Sequence, residues 1–305
     1  MIDDKKNFDV VVVGNVGIDT NIYHYNEMID FAVEANFTEN LDYVGQAGGY
    51  SARGFAQLGY KTAFIGYIGD DFGGKYILNE FAKDQINVDA VFVDPSGTSR
   101  SVNFMFPDGK RKNFYDGKSH MTLRPDLQLC KSILVNTKLA HFHIPNWARF
   151  LLPIAKEAGV IISCDLQDIG DVIDEYRRDF IQFSNIVFFS NVNHASPAPL
   201  IQEILTEYPD KIIISGMGNN GCALGTEEGI EFFQPFTMDK TIVDTNGAGD
   251  GLAVGFLTGH CLENLDLVHS IQRGQIVARY TCSLKANTSN LMNRDELDNL
   301  TRYYS

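Results

Sequence analysis

Apolar residues in this chain come in short runs punctuated by glycine. Residues 8–13 form a nearly unbroken apolar run closed by Gly14, which predicts a strand buried on both faces. Strand-like pieces follow at 21–24 and 41–44, then a glycine turn at Gly48 and Gly49 that opens a helix ending at Gly59. A strand is expected at 62–67, a glycine turn at 69–73, and apolar or alternating runs at 91–93 and 102–106. Pro107-Asp108-Gly109-Lys110 reads as the turn joining 102–106 to 112–115 in a hairpin. Beyond residue 138, strands at 139–144, 160–166, 185–190 and 211–215 alternate with helices at 147–157, 172–180 and 199–207. Such alternation predicts parallel strands covered by helices on both faces. Segments 222–225 and 230–233 add a hairpin, and 241–243 is β-prone. Leu267, Ile271, Gly274, Ala278 and Cys282 make a helical stripe within 265–285.

The stretch Asp244-Thr245-Asn246-Gly247-Ala248-Gly249-Asp250 leads into an apolar segment at 251–259, where Ala253, Phe256 and Leu257 recur at helical spacing. Gly255 and Gly259 leave room there for a close neighbour. Gly247, Ala248 and Gly249 are thus nearly bare backbone at a helix start. The first amides of a helix lack intrahelical partners and carry the positive end of its dipole, so an anion can come up to them. Asp250 lies in the first turn, where a carboxylate facing a bound anion suits a general base. A glycine turn followed by an acid is, by itself, an ordinary helix start. Here every specified position matches D-T-x-G-A-G-D, and the chain resembles the ribokinase-like (PfkB) carbohydrate kinases, whose second signature this is.

That resemblance implies an α/β fold, a ribokinase-like three-layer sandwich with a central, mostly parallel sheet between helices and a small β-sheet lid. It implies one kinase domain over 1–305, with lid strands inserted from about 18–46 and 98–116. The implied activity is ATP-dependent transfer of a phosphoryl group to a hydroxyl of a small sugar or sugar-like acceptor. Asp250 would be the base, the amides of Gly247, Ala248, Gly249 and Asp250 the anion hole, and Thr245 part of the nucleotide site. Mg²⁺ is implied, and, as in some relatives, a monovalent cation such as K⁺ at the carbonyl of Asp244. A lid has a physical purpose, because attack on the γ-phosphate must exclude water. Lid strands also pair subunits in relatives, so a homodimer through the lid is expected by analogy.

Asn15 and Asp19 lie just past the first strand, at the edge where open α/β sheets hold ligands; by resemblance Asp19 holds acceptor hydroxyls. A dinucleotide reading of 14–17, and with it an oxidoreductase, lacks a third glycine and a following helix. Gly48 and Gly49 match the first signature of the family, in which the pair approaches the sugar. Four positions later the family carries an asparagine, and this chain has Arg53. A forked, permanent charge there either turns to a structural carboxylate or clasps an anionic acceptor. Ser215, Gly216, Gly218 and Gly221 resemble the strand-then-glycine turn that contacts the nucleotide. Asn191 fits the start of N-x-x-E, whose glutamate organises magnesium-bound water, but His194 replaces that glutamate. A neutral imidazole suits magnesium poorly, so Asp165 or Asp168, or a water, is expected in its place. His141 and His143 share one face of a strand. No further ligand-type cluster completes an H-x-H metal site, so His143 is expected near the acceptor or packed in the sheet.

Composition narrows this without changing it. With 305 residues, 44% of them hydrophobic, the chain can bury a large core, and 27 glycines fit many short elements. A net charge of −14 disfavours nucleic-acid backbones and anionic membranes, so neither is expected as a partner. Five scattered cysteines without C-x-x-C fit a reducing compartment. With no leader visible at 1–6 and no apolar run long enough to span a bilayer, a cytoplasmic location is expected. Arg53 and His194 leave open a nucleotide- or sugar-binding regulator without turnover, and the motifs alone do not separate sugar from nucleoside acceptors.

Overall fold

Val10 and Val12 face one hydrophobic core while Val11 and Val13 face another, so the first strand is buried on both sides, as its unbroken apolar run requires. The computed structural model describes residues 6–108, 110–171 and 174–304. In chain order the first half runs β1 (Phe8–Val13), β2 (Gly17–His24), β3 (Thr38–Gly45), α1 (Gln46–Gln57), β4 (Thr62–Ile68), α2 (Phe72–Lys83), β5 (Asn87–Val93), β6 (Ser99–Met105) and β7 (Arg111–Asp116). Then come α3 (Leu127–Leu134), β8 (Thr137–Phe142), α4 (Leu152–Glu157), β9 (Ile161–Asp168), α5 (Glu175–Phe183), β10 (Ile186–Ser190), α6 (Ala198–Glu207) and β11 (Ile212–Gly216). The chain ends with β12 (Cys222–Thr226), β13 (Gly229–Phe233), α7 (Ala248–Leu257), α8 (Leu267–Thr281) and α9 (Arg294–Tyr304).

The large sheet has the order β13-β12-β11-β10-β9-β8-β1-β4-β5. It is parallel from β11 to β5, and antiparallel where β12 and β13 are added. A separate sheet, β3-β2-β6-β7, contains the expected β6–β7 hairpin. Helices α1, α2, α7, α8 and α9 pack on one face of the large sheet through residues such as Phe55, Phe81, Phe256, Ile271 and Leu297. On the other face α3 to α6 contribute Ile133, Leu152, Phe180 and Ile201. Each such side chain contributes about 1.5–3 kcal/mol relative to exposure. All five cysteines are free, and four are buried. Among the described residues no helix is long and apolar enough to cross a membrane.

Four expectations need correction or trimming. Gly48 and Gly49 lie inside α1 rather than in a turn before it. Gly48 N donates to Asn15 O at 3.0 Å, and a Cβ at Gly48 would sit 2.5 Å from that oxygen, so the glycine lets the helix rest on the chain leaving β1. Residues 241–243 form no strand; the amides of Val243 and Asp244 both turn to Cys282 O. The helix at 147–157 is a 3₁₀ segment, Asn146–Leu151, passing into α4 beside Pro153, which has no N–H to offer. The helix expected at 172–180 is α5, started by the Asp174 carboxylate accepting from the amides of Tyr176 and Arg177. Val172 and Ile173 of that segment, Gly109 of the hairpin turn and residues 1–5 read for a leader lie outside the described residues. Finally, 14–17 leads into β2 and not a helix, so no helix N-terminus exists there for a dinucleotide pyrophosphate.

Candidate active site

Parallel strands end together, and the C-terminal edge of β1 and β8 to β11 delivers most of the expected residues to one place. Asn15 and His143 follow β1 and β8, Asp165 lies near the end of β9, Asn191 follows β10, and Ser215 and Gly216 close β11. The register places Asp165 beside Phe188, and Ser190 beside Gly216.

Helix α7 starts over this edge. Gly247 caps it with φ 76°, a left-handed conformation that glycine adopts freely, and a Cβ there would lie 2.2 Å from the Tyr50 ring. Gly251 N donates to Gly247 O at 2.8 Å, and Ala248 N reaches Thr245 O only at 3.4 Å. Among the described residues the amides of Gly247 and Gly249 have no hydrogen-bond partner, and the Asp250 amide meets only its own carboxylate. Nothing lies within 4 Å of where a Gly249 Cβ would be, and Gly249 and Thr245 are exposed. Bare amides at the positive end of a helix, open on one side, form a nest for an anion.

The Asp250 side chain is partly exposed. Ser51 Oγ on α1 donates to its Oδ1 at 3.4 Å. Burial, and then the nearby Asp165 carboxylate, raise the Asp250 carboxyl well above the usual aspartate range. Asp165 is itself raised by burial. His143 Nε2 lies 3.2 Å from Ser51 Oγ, while His141 pairs with Ser163 at 2.8 Å inside the sheet. Burial holds both imidazoles neutral, His141 at about 3. Contrary to the sequence reading, His143 does meet acidic groups: one of its ring nitrogens and oxygens of Asp165 and Asp250 lie within 4.8 Å of one another.

Asp19 is buried between β2 and α1 and accepts from Gln46 N at 3.2 Å and Tyr43 OH at 3.4 Å. Burial pushes its carboxyl up to about 6. Asn15 Nδ2 donates to Gln46 Oε1 at 3.0 Å and Tyr115 OH at 3.4 Å. Arg53 is not part of this group. It is 2% exposed, with Nε 2.6 Å from Asp84 Oδ2 and one terminal nitrogen 3.1 Å from Glu80 Oε2. Its other terminal nitrogen donates to Thr288 and Ser289. The acceptor role considered for Arg53 is therefore corrected: burial left this guanidinium needing partners, and α2 supplies them.

On the expected nucleotide side, Ser215 Oγ and Asn191 Oδ1 are buried without partners, while Asn191 Nδ2 holds its own turn through His194 O at 3.1 Å. Gly218 and Gly221 take positive φ in the turn after β11, where Met217 N donates to Gly221 O at 2.8 Å. His194 bonds Ile169 O at 2.7 Å, so its ring braces a loop. The Asp244 carboxylate is fully engaged, accepting from Asn21 Nδ2 at 2.7 Å, Tyr23 OH at 2.9 Å and Asn246 N at 2.9 Å.

The sequence model of the pfkB family carbohydrate kinases matches residues 7–167 and 180–293. The chain belongs to this family. Acarbose 7(IV)-phosphotransferase from an Actinoplanes species is 24% identical over 292 residues, 95% of this chain and 97% of the relative. A 5-dehydro-2-deoxygluconokinase from Clostridium perfringens is 27% identical over 313 residues, 92% of this chain and 90% of the relative. Among solved structures, a microbiome-derived acarbose kinase superposes with TM-score 0.88 at 26% identity, covering 97% of this chain and 99% of its own. An Arabidopsis thaliana ribokinase complexed with ribose and ATP shares the fold, with TM-score 0.81 at 19% identity. The fold is ribokinase-like and the protein is a sugar kinase.

Sequence reasoning passed over Ser51, Gln46 and Arg111, and considered Asp165 only as a metal organiser and not as a neighbour of Asp250. Ser51 and Asp165 touch or flank Asp250. Gln46 has φ 60°, disfavoured for a residue with a side chain, and its Oε1 accepts from both Asn15 and Ser99. Arg111 of β7 donates to Asn246 Oδ1, tying the small sheet to the glycine loop. Each pairing joins residues distant in the chain, and no local pattern announces it.

Proposed function

We propose that this kinase transfers the γ-phosphoryl group of ATP to a hydroxyl of a small, polyhydroxylated acceptor, with Asp250 as general base. The observation that carries the reading is the conjunction at the start of α7: unpartnered amides at Gly247 and Gly249, open space over Gly249, and a partly exposed carboxylate in the same turn. The acceptor oxygen attacks the phosphorus as its proton moves to Asp250, and the amides of residues 247–250 receive the charge on the group in flight. Asp19 and Asn15 are placed to position the acceptor's hydroxyls, beneath the β3-β2-β6-β7 sheet acting as a lid that excludes water. Gly48 and Gly49 shape that floor by letting α1 lie close to Asn15.

Ser215, Gly216, Gly218, Gly221 and Thr245 border the nucleotide's side, and the unpartnered Ser215 Oγ and Asn191 Oδ1 mark it as a place awaiting polar contacts. Mg²⁺ bound with the nucleotide supplies charge neutralisation on its phosphates. The donor set fits an ion held through water: Asn191 Oδ1 and Ser215 Oγ are unpartnered oxygens at the strand edge, while His194 is spent on Ile169. Because the Asp244 carboxylate is spent as well, any K⁺ there would rest on its main-chain oxygen.

The test is Asp250→Asn. Turnover should fall by about 10²–10⁴-fold, with ATP affinity, read by titration calorimetry, nearly unchanged. A variant turning over at the parent rate would remove Asp250 from its role.

A further inference from the structure

We propose that Asn113 of β7 is a specificity-determining residue whose Oδ1 accepts a hydrogen bond from an acceptor hydroxyl other than the one phosphorylated. Asn103 and Asn21 are positioning residues that hold its amide in that sense. This rests on the acceptor lying beneath the small sheet, beside Asn15 and Asp19.

The three asparagines form a row across the small sheet. Asn21 of β2 stands opposite Asn103 of β6, and Asn103 opposite Asn113 of β7, so the three side chains share one face. Asn113 Nδ2 donates to Asn103 Oδ1 at 2.8 Å, Asn103 Nδ2 to Asn21 Oδ1 at 2.9 Å, and Asn21 Nδ2 to Asp244 Oδ2 at 2.7 Å. An amide has a donor end and an acceptor end, whereas a carboxylate only accepts. Asp244 therefore fixes the sense of the whole row. Asn21 turns its nitrogen to Asp244, and the second hydrogen on that nitrogen goes to Tyr23 OH at 3.1 Å, whose own proton goes to Asp244. The oxygen of Asn21 then calls for a donor from Asn103, and the oxygen of Asn103 for one from Asn113. Asn113 Oδ1 is left at the end of the row, and among the described residues it has no partner.

That end opens over the site. The face shared by the row also carries Asp19, two residues before Asn21 on β2. Asn21 is fully buried and Asn103 nearly so, whereas Asn113 is exposed. On β7 the same face presents Arg111 and Tyr115 on either side of Asn113, each about 7 Å along the strand. Tyr115 OH accepts from Asn15 on the acceptor's side, and Arg111 donates to Asn246 in the glycine loop. Asn113 thus hangs between the acceptor's floor and the loop that receives the phosphoryl group. Asp19 Oδ1 and Gln46 Nε2, buried without partners, are further polar atoms for the same molecule to satisfy.

A pinned amide discriminates where a free one does not. Turning Asn113 over would set two oxygens against each other at Asn103. Reversing Asn103 and Asn21 as well would only move that fault to Asp244. The row therefore favours a hydroxyl, which can donate, over a fluorine, an ether or a carboxylate at that place. The hydroxyl concerned lies between those held by Asn15 and Asp19 and the one beside Asp250. The acceptor class is a sugar or polyol with a free hydroxyl at that intermediate position.

The probe is the best-phosphorylated sugar from a panel of neutral pentoses, hexoses and α-glucosides, compared with its monodeoxy and monodeoxyfluoro analogues. Fluorine nearly keeps the size of a hydroxyl but cannot donate. At one position both analogues should lose about three- to tenfold in kcat/KM with the parent enzyme. Asn113→Ala, at an exposed position whose truncation leaves the fold intact, should raise the KM of the full sugar by a similar factor. It should leave the KM for ATP unchanged and shrink the penalty at that one position alone. Asn103→Leu, which touches no ligand, should shrink the same penalty, whereas a merely structural role would slow all the analogues alike. In the parent, with no variant needed, the sugar should shift the side-chain amide resonances of Asn113 and Asn103 in nitrogen-15 NMR spectra. A penalty unchanged in Asn113→Ala, or amide resonances that the sugar leaves in place, would overturn the contact. A penalty unchanged in folded Asn103→Leu would overturn the positioning. Asn15→Ala separates the failures: if it leaves the acceptor's KM untouched, the acceptor does not lie beneath the small sheet and the proposal falls with that reading. If it raises that KM while Asn113→Ala does not, only the row falls.

Discussion

Helix α1 sends polar side chains into two buried nests of acids, and the two are treated oppositely. Arg53 enters one, where Glu80 and Asp84 meet it and Lys83 closes over Glu80. Burial works to raise the Glu80 carboxyl, but Lys83, Ser289 and Arg53 together hold it below its ordinary value. Two residues away on the same helix, Ser51 reaches Asp250, with Asp165 and Asp19 nearby, and burial raises all three acids with no cation among the facing groups to answer it. The first nest is finished electrostatically and serves as masonry between α1 and α2. The second is left incomplete, which is how a protein keeps a group reactive.

Removing the compensating charge from the finished nest should have the largest effect on stability. Arg53→Ala takes from Glu80 and Asp84 the buried cation they share, leaving Lys83 and Ser289 on Glu80 and Gln57 on Asp84, and urea unfolding should show a loss of up to about 3–5 kcal/mol, with acceptor preference unaltered in the folded fraction. A small loss accompanied by a changed preference for anionic acceptors would restore the substrate role that the structure denies it. The unfinished nest predicts the reverse sign. An unfolded aspartate releases its proton near pH 4, whereas Asp19 holds its own to about 6. Between those values the folded state binds the extra proton, so its stability falls as pH rises through the window and the full penalty is present above it. Asp19→Asn should therefore be more stable than the parent above pH 7, by at most about 3 kcal/mol, and nearly equal to it below pH 4. The check is a set of thermal melts across that range. A difference independent of pH would contradict the assignment, and a raised acceptor KM is expected in the same variant. Least of all should happen at Lys131, whose ion pair with Glu157 at 3.1 Å is solvent-exposed: Lys131→Ala should shift stability by no more than about 0.5 kcal/mol.

What the sequence revealed divides along similar lines. Burial on both faces of β1, the α/β alternation after residue 138 and the bare helix start at Gly247 are local patterns, written within a few residues of where they act. The nests are not local. Arg53 finds Asp84 across 31 positions, and Ser51 finds Asp250 across 199. The sequence showed that position 53 was unusual but left two destinations open, since only the packing of α1 on α2 selects between them. Asp165 was read only as a possible metal organiser, because its closeness to Asp250, 85 positions on, is set by the way α7 meets the edge of the sheet. Gln46 has a left-handed backbone that its residue type does not advertise.

The fastening of Asp244 has a mechanical consequence. Asn21 and Tyr23 of β2 both hold its carboxylate, six residues upstream of Asp250 in the same loop-and-helix start. A swing of the small sheet must either break two hydrogen bonds to an anion, each worth about 1.5–3 kcal/mol, or drag the glycine loop along. Entry and departure of ligands are thus geared to the shape of the cradle that receives the phosphoryl group, and removing both anchors, Asn21→Ala with Tyr23→Phe, would loosen that gearing.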